Sequence, residues 1–138
     1  MATYNSDAID AGLMPTPYGA GQVVCRSATY TNDGAKAAGS IIKMVPIPEG
    51  AKLLRIEYSF TALGSGRTAD IGYSDDMDHY VDGADVSSAT TGSVVAINQD
   101  FSSDDYIAIT ILGNTLPDAA VLKLNAYYKM KDMIKDEA

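Results

Sequence analysis

Between Leu53 and Leu63 the chain reads LLRIEYSFTAL, and apolar and polar side chains alternate along it. Leu54, Ile56, Tyr58, Phe60 and Ala62 fall on one side of an extended chain, and Arg55, Glu57, Ser59 and Thr61 on the other. Successive side chains of a strand point to opposite faces, so this pattern is a half-buried strand. A helix would bring its apolar residues round every 3.6 positions, and this segment does not. The turn Pro48-Glu49-Gly50 leads into the strand, Gly64-Ser65-Gly66 breaks it, and a second, shorter strand follows over Thr68 to Tyr73. One strongly alternating strand of this length commits the chain to a β-protein.

The rest of the chain agrees. Strands are expected at Val23 to Tyr30, Ser40 to Val45, Ser93 to Ile97, Tyr106 to Leu112 and Val121 to Tyr128. Tyr80-Val81 is a short strand inside a loop that runs from Ser74 to Gly92. Ile107, Ile109 and Ile111 share one face, as do Leu122, Leu124, Ala126 and Tyr128. Asn32-Asp33-Gly34 supplies a turn, because these residues tolerate left-handed backbone angles. Pro46 and Pro48 cannot donate to a ladder and belong at a strand end or sheet edge. Roughly seven or eight short strands with turns between them give an all-β fold, a single-domain β-sandwich of jelly-roll type. No internal segment has a helical period, which excludes a βαβ architecture.

Three parts are expected: an extended N-terminal arm over residues 1–21, a sandwich over 22–128 and a charged tail over 129–138. The arm carries Gly12, Pro15, Pro17, Gly19 and Gly21 and no regular period. Its apolar and aromatic residues Tyr4, Ile9, Leu13, Met14 and Tyr18 are the candidates for ordering on a partner. In the tail, Met130, Met133 and Ile134 would meet on one side of a short helix.

Composition narrows the function. At 138 residues the chain is one domain and buries about 70% of its unfolded surface, so it needs no disulfide or metal to hold a core. A net charge of −8 argues against direct nucleic-acid binding, which needs clustered Lys and Arg. No apolar run reaches the ~20 residues of a membrane span. The start, MATYNSDAIDAG, lacks the pattern of a signal peptide, so the product is expected to remain in, or assemble in, the cytoplasm that makes it. The one cysteine, Cys25, is expected as a small buried hydrophobe. Nine tyrosines against two phenylalanines suit sheets and also protein interfaces.

No residue set points to catalysis, and no enzyme activity or cofactor is expected. His79 is the sole histidine, it sits in a polar stretch, and no G-x-S-x-G elbow accompanies it. One His and one Cys serve zinc poorly. Phosphate-binding glycine motifs are absent. The acidic run holds Asp70, Asp75, Asp76, Asp78, Asp82 and Asp85. Clustered carboxylates can hold calcium, with Asp75, Asp76 and Asp78 as candidates, although the spacing is not that of an EF-hand. Turn chemistry accounts for aspartates in such a run as well.

The segments MATYNSDAIDAGL with GQVVCRSATY, IIKMVPIPEGAKLLRIEYSFTALG, TADIGYSDDMDHYVDG and SSDDYIAITILG resemble, in their order of turns and strands, small structural proteins of tailed bacteriophages. The resemblance spans Met1 to Tyr128 and carries no catalytic residues. It implies a capsid decoration (cement) protein in the virion, assembled in a bacterial cytoplasm. The implied partners are the phage's major capsid protein and further copies of the chain, with a trimer favoured and no direct contact to nucleic acid or membrane. A tail or head-fibre tip that binds a receptor or glycan with calcium is the alternative.

Overall fold

A computed structural model describes residues 2–10 and 22–130. In chain order the elements are β1 (Thr3–Asn5), α1 (Asp7–Asp10), β2 (Val23–Thr31), β3 (Ile41–Ile47), β4 (Ala51–Phe60), β5 (Thr68–Tyr73), β6 (Asp76–Asp85), β7 (Thr90–Val94), β8 (Gln99–Asp100), β9 (Asp105–Leu112) and β10 (Val121–Met130). They form two sheets. Sheet I has the order β1-β3-β9-β5-β6, and sheet II the order β2-β10-β4-β7, with β8 added beside β4.

The pairing shows how the chain gets there. β5 pairs with β6, β4 with β7, β3 with β9 and β2 with β10, all antiparallel. These are nested partners, so the chain is one long hairpin with its tip at residues 74–75, rolled into two facing sheets. That is the eight-stranded jelly roll. The connections 32–40, 61–67, 86–89 and 113–120 therefore gather at one end of the sandwich. Asn32 ties two of them together. Its side-chain amide donates to Gly34 at 2.9 Å and Pro117 at 2.7 Å, and its carbonyl accepts the Tyr30 hydroxyl at 3.1 Å.

The core lies between the sheets. Ile42, Ile47, Ile71, Ile107 and Ile109 from sheet I meet Leu53, Ile56, Phe60, Leu122, Leu124 and Tyr128 from sheet II. Burial of each such side chain contributes about 1.5–3 kcal/mol before conformational entropy is subtracted. β10 alternates as its sequence predicts, with Leu122, Leu124, Ala126 and Tyr128 inward.

Several expectations are corrected. On β4 the inward residue is Leu53, and Leu54 is only half buried. The cause is a bulge: Tyr127 faces Arg55 but Tyr128 faces Leu53, so Leu54 is an extra residue and the alternation resets. Ala62 lies past the strand end and is exposed. The region expected as loop from Ser74 is mostly strand β6, whose polar side chains face solvent as an edge strand allows. Cys25 is exposed, because it points off the outer face of the edge strand β2. Residues 3–5, expected within the extended arm, pair in parallel with Ile41–Lys43 of β3, and Ser6 anchors the segment by donating its hydroxyl to the Met44 carbonyl. β10 runs two residues beyond the expected end, through Lys129 to Met130, the latter buried. Pro46 lies within β3, where β1 has already ended and β9 alone flanks the strand.

Candidate functional site

Two polar surfaces stand out, one on the outside of each sheet. On sheet II the strand register places Ser27, Asn125, Glu57 and Ser93 in one row across four strands. Glu57 Oε1 accepts the Tyr127 hydroxyl at 3.0 Å and Asn125 Nδ2 at 3.3 Å, and its other oxygen takes Arg55 Nη2. The Arg55 guanidinium also lies 4.9 Å from the centre of the Tyr127 ring. These donors, Asn125 first and then Tyr127, hold the Glu57 carboxyl below its usual value. The same bond pushes the Tyr127 hydroxyl up to about 12. Lys52, Arg55, Lys123 and Lys129 share this face by register, so it is a flat, locked, partly basic surface. The hydrogen bonds and the ring contact fix these side chains against one another.

The second surface is the β5–β6 hairpin at the tip of the roll. Residues 68–85 hold six aspartates and neither Lys nor Arg. Residues 77–80 of β6 bulge out opposite Gly72 alone, since Ile71 faces Val81 and Tyr73 faces Asp76. The bulge folds back over the sheet: a Cβ on Gly72 would sit 2.1 Å from the Asp76 carbonyl oxygen. A second irregularity brings Gly83, with φ of +80°, opposite Asp70, whose Oδ1 accepts the Gly83 N–H at 2.8 Å. Tyr73 pins the hairpin from beneath, its ring 5.8 Å from Phe101, 5.5 Å from His79 and 6.1 Å from Tyr80. Tyr80 donates to Gln99, and burial raises its hydroxyl well above the usual range.

The result is that carboxylate oxygens of Asp70, Asp78 and Asp82 all lie within 4.8 Å of one another. Of the sequence candidates, Asp78 belongs to this group. Asp76 stands beside it, paired with His79 Nδ1 at 3.2 Å, and Asp75 is exposed in the turn outside the group. Asp70 and Asp82 were the missed members. Only the two bulges bring positions 70, 78 and 82 together, and a plain hairpin pattern contains no sign of them. Bonding to Asp76 raises the Asp78 carboxyl, with the charges of Asp76, Asp82 and Asp70 adding to the effect. Asp76 is lowered as the receiver of that bond.

Of the arm candidates, Tyr4 is half buried on β1 with Lys36 Nζ 5.1 Å from its ring centre, and Ile9 is half buried in α1. Leu13, Met14 and Tyr18 lie outside the described residues. Tyr4 also lines an open groove of about 530 Å³, bounded by Asp7, Asp10, Tyr30 and Asp33. No helix among the described residues is long and apolar enough to cross a membrane.

The fold places the chain in a class, the two-sheet jelly rolls, an architecture that viral capsid and lectin domains share. Comparison then gives particular likenesses. A chain of the capsid of Ralstonia phage GP4 superposes with a TM-score of 0.77 over 94% of this chain and 98% of that one, at 19% identity. A chain of the cyanophage Pam1 capsid asymmetric unit gives 0.69 over 86% and 92%, at 14% identity. One from the acidic stable capsid structure of Helicobacter pylori bacteriophage KHP30 gives 0.52 over 80% and 90%, also at 14%. At these identities the likeness is one of fold. No protein-family model and no curated protein sequence matches the chain.

Proposed function

We propose that the protein is a virion protein of a tailed bacteriophage, a decoration or cement protein that binds and stabilises the lattice of the major capsid protein. The observation that carries this reading is coverage: the likeness to chains of phage capsids extends over nearly all of this chain and nearly all of theirs. The locked polar face of sheet II supports the same reading, since it offers a rigid contact surface. The protein acts as a homo-oligomer, with a trimer favoured, and the N-terminal segment that includes Leu13, Met14 and Tyr18 adds contact area on the partner. An arm adds area cheaply but carries the entropy of its ordering.

The test has two arms. Light scattering gives the mass of the purified protein, and co-sedimentation with heads assembled from the phage's major capsid protein gives its occupancy. An oligomer that saturates the heads is the expected result; a protein that stays in the supernatant at micromolar concentration contradicts the proposal. Leu13→Ala, Met14→Ala and Tyr18→Ala together should lower occupancy. Wild-type occupancy in that triple variant removes the arm from the account. Lys123→Glu tests the face of sheet II in the same assay, and unchanged occupancy removes that face.

A further inference from the structure

We propose that strand β2 is a docking edge for a second copy of this chain, the two β2 strands pairing antiparallel about a two-fold axis at Cys25. Each sheet ends in two edge strands, β1 and β6 in sheet I, β2 and β7 in sheet II. An open edge offers unpaired main-chain groups to any other strand, and folded proteins blunt it with shortness, charge, proline or bulges. Three of these four edges are blunted. β1 is three residues long, and Pro46 stands in β3 where β1 has already ended. β6 is broken by two register shifts and carries Asp76, Asp78, Asp82 and Asp85. β7 has five residues, with Gly92 at its centre. β2 is different: it runs nine residues in unbroken register with β10 and holds neither proline nor glycine.

Two hydrogen bonds fix which way the main chain of β2 faces. Asn32 N–H donates to the Ala120 carbonyl at 2.8 Å, so the even-numbered residues turn their main-chain groups to β10. Thr29 N–H donates to Asp7 Oδ1 at 2.9 Å, so the odd-numbered residues face the open side. Asp7 therefore caps the edge at Thr29, where α1 packs on β2. What stays open is Val23 to Ser27, with Val23, Cys25 and Ser27 pointing outward and no strand beside them among the described residues. This stretch is self-complementary. Antiparallel pairing about Cys25 sets Val23 against Ser27 of the second copy, and every outward N–H and carbonyl meets an outward partner. A shift by one residue sets outward groups against inward ones, and a shift by two toward α1 meets the capped Thr29. Charge points to the same occupant. Two chains of net charge −8 repel, and this stretch brings no acidic side chain to their contact. Its one charge, Arg26, falls opposite Val24 of the second copy. Val23, a large apolar residue 59% exposed, lies in the same stretch. The pairing joins the two copies of sheet II into one continuous sheet. The contact is two-fold, distinct from the three-fold contact of a trimer, and it stands independently of the capsid reading.

The exposed thiol of Cys25 reports on the contact directly. In the paired arrangement the two Cys25 Cβ atoms stand about 5.5 Å apart. That is too wide for an unstrained disulfide but within reach of an ethylene-bridged bis-maleimide. The whole protein at about 100 μM, where a small interface is populated, should be bridged to a dimer. Cys25→Ser combined with Ser27→Cys sets the two thiols about 13 Å apart along the strands and should cut the bridging roughly fivefold. Ser27→Pro keeps the thiol and removes an N–H that faces the open side. It should stay folded by thermal melting and lose both the bridge and the dimer mass in light scattering. A wild-type protein that is monomeric and unbridged at that concentration overturns the proposal. Bridging as strong at position 27 as at 25, or bridging that survives in folded Ser27→Pro, overturns it too. Where Ser27→Pro does not fold, the comparison of positions 25 and 27 decides alone.

Discussion

The outer faces of the two sheets solve the same problem in opposite ways. On sheet II one carboxylate, Glu57, is held by an amide, a phenol and a guanidinium, and its pKa falls. On the β5–β6 hairpin of sheet I three carboxylates converge, a fourth lies against them, and the pKa of Asp78 rises. In the first arrangement both Glu57 oxygens have donors within the chain, while Arg55 Nε is buried without a partner. In the second, Asp78 shares a bond with Asp76 and charges of one sign lie close together, which repel.

The comparison can be broken most forcefully at Gly72. Gly72→Ala puts a Cβ against the main chain of the β6 bulge. It should cost roughly 3 kcal/mol by chemical denaturation. A variant with wild-type stability would show that the bulge does not pack as described. Next in size are two charge removals, which should act with opposite sign. At neutral pH, Asp78→Asn should raise the melting temperature, because it removes one of several close like charges, and Glu57→Gln should lower it. A drop in both would erase the distinction between the faces.

The pH dependence sharpens it further. Glu57 is depressed below its ordinary value of 4.5, so its contribution is fully present above that pH and is lost as pH falls through the lower folded value. The gap between wild type and Glu57→Gln should therefore close in acid. Asp78 is raised above 3.8, so its contribution is present below that pH and is lost as pH rises through the folded value. The gap between wild type and Asp78→Asn should open over that interval. Parallel profiles would contradict both assignments. The smallest effect is expected from Tyr127→Phe, which removes one of three donors to Glu57 and should lower the melting temperature only slightly.

Much of the fold was legible because its signal is local. Alternation in β4 and β10, the β9 isoleucines and the turn at Asn32-Asp33-Gly34 each follow from a few consecutive residues. What escaped depends on partners distant in sequence. The bulge at Leu54 appears only in the register against β10, and the exposure of Cys25 follows from β2 being an edge. The run 74–85 reads as loop because Asp and Gly dominate it, yet pairing with β5 makes it strand. The acidic cluster was half visible: Asp78 was a candidate, but Asp70 and Asp82 join it through two bulges that composition does not encode. Asn32, seen in the sequence only as a turn residue, is the buried post between two connections.

The central claim is that this jelly roll is an assembly protein of a phage head. Electron cryomicroscopy of heads incubated with the purified protein tests it most directly. The account predicts density for the two-sheet fold at repeated, symmetry-related positions on the capsid lattice. Bare lattice at saturating protein, with density confined to the tail or absent, would contradict it.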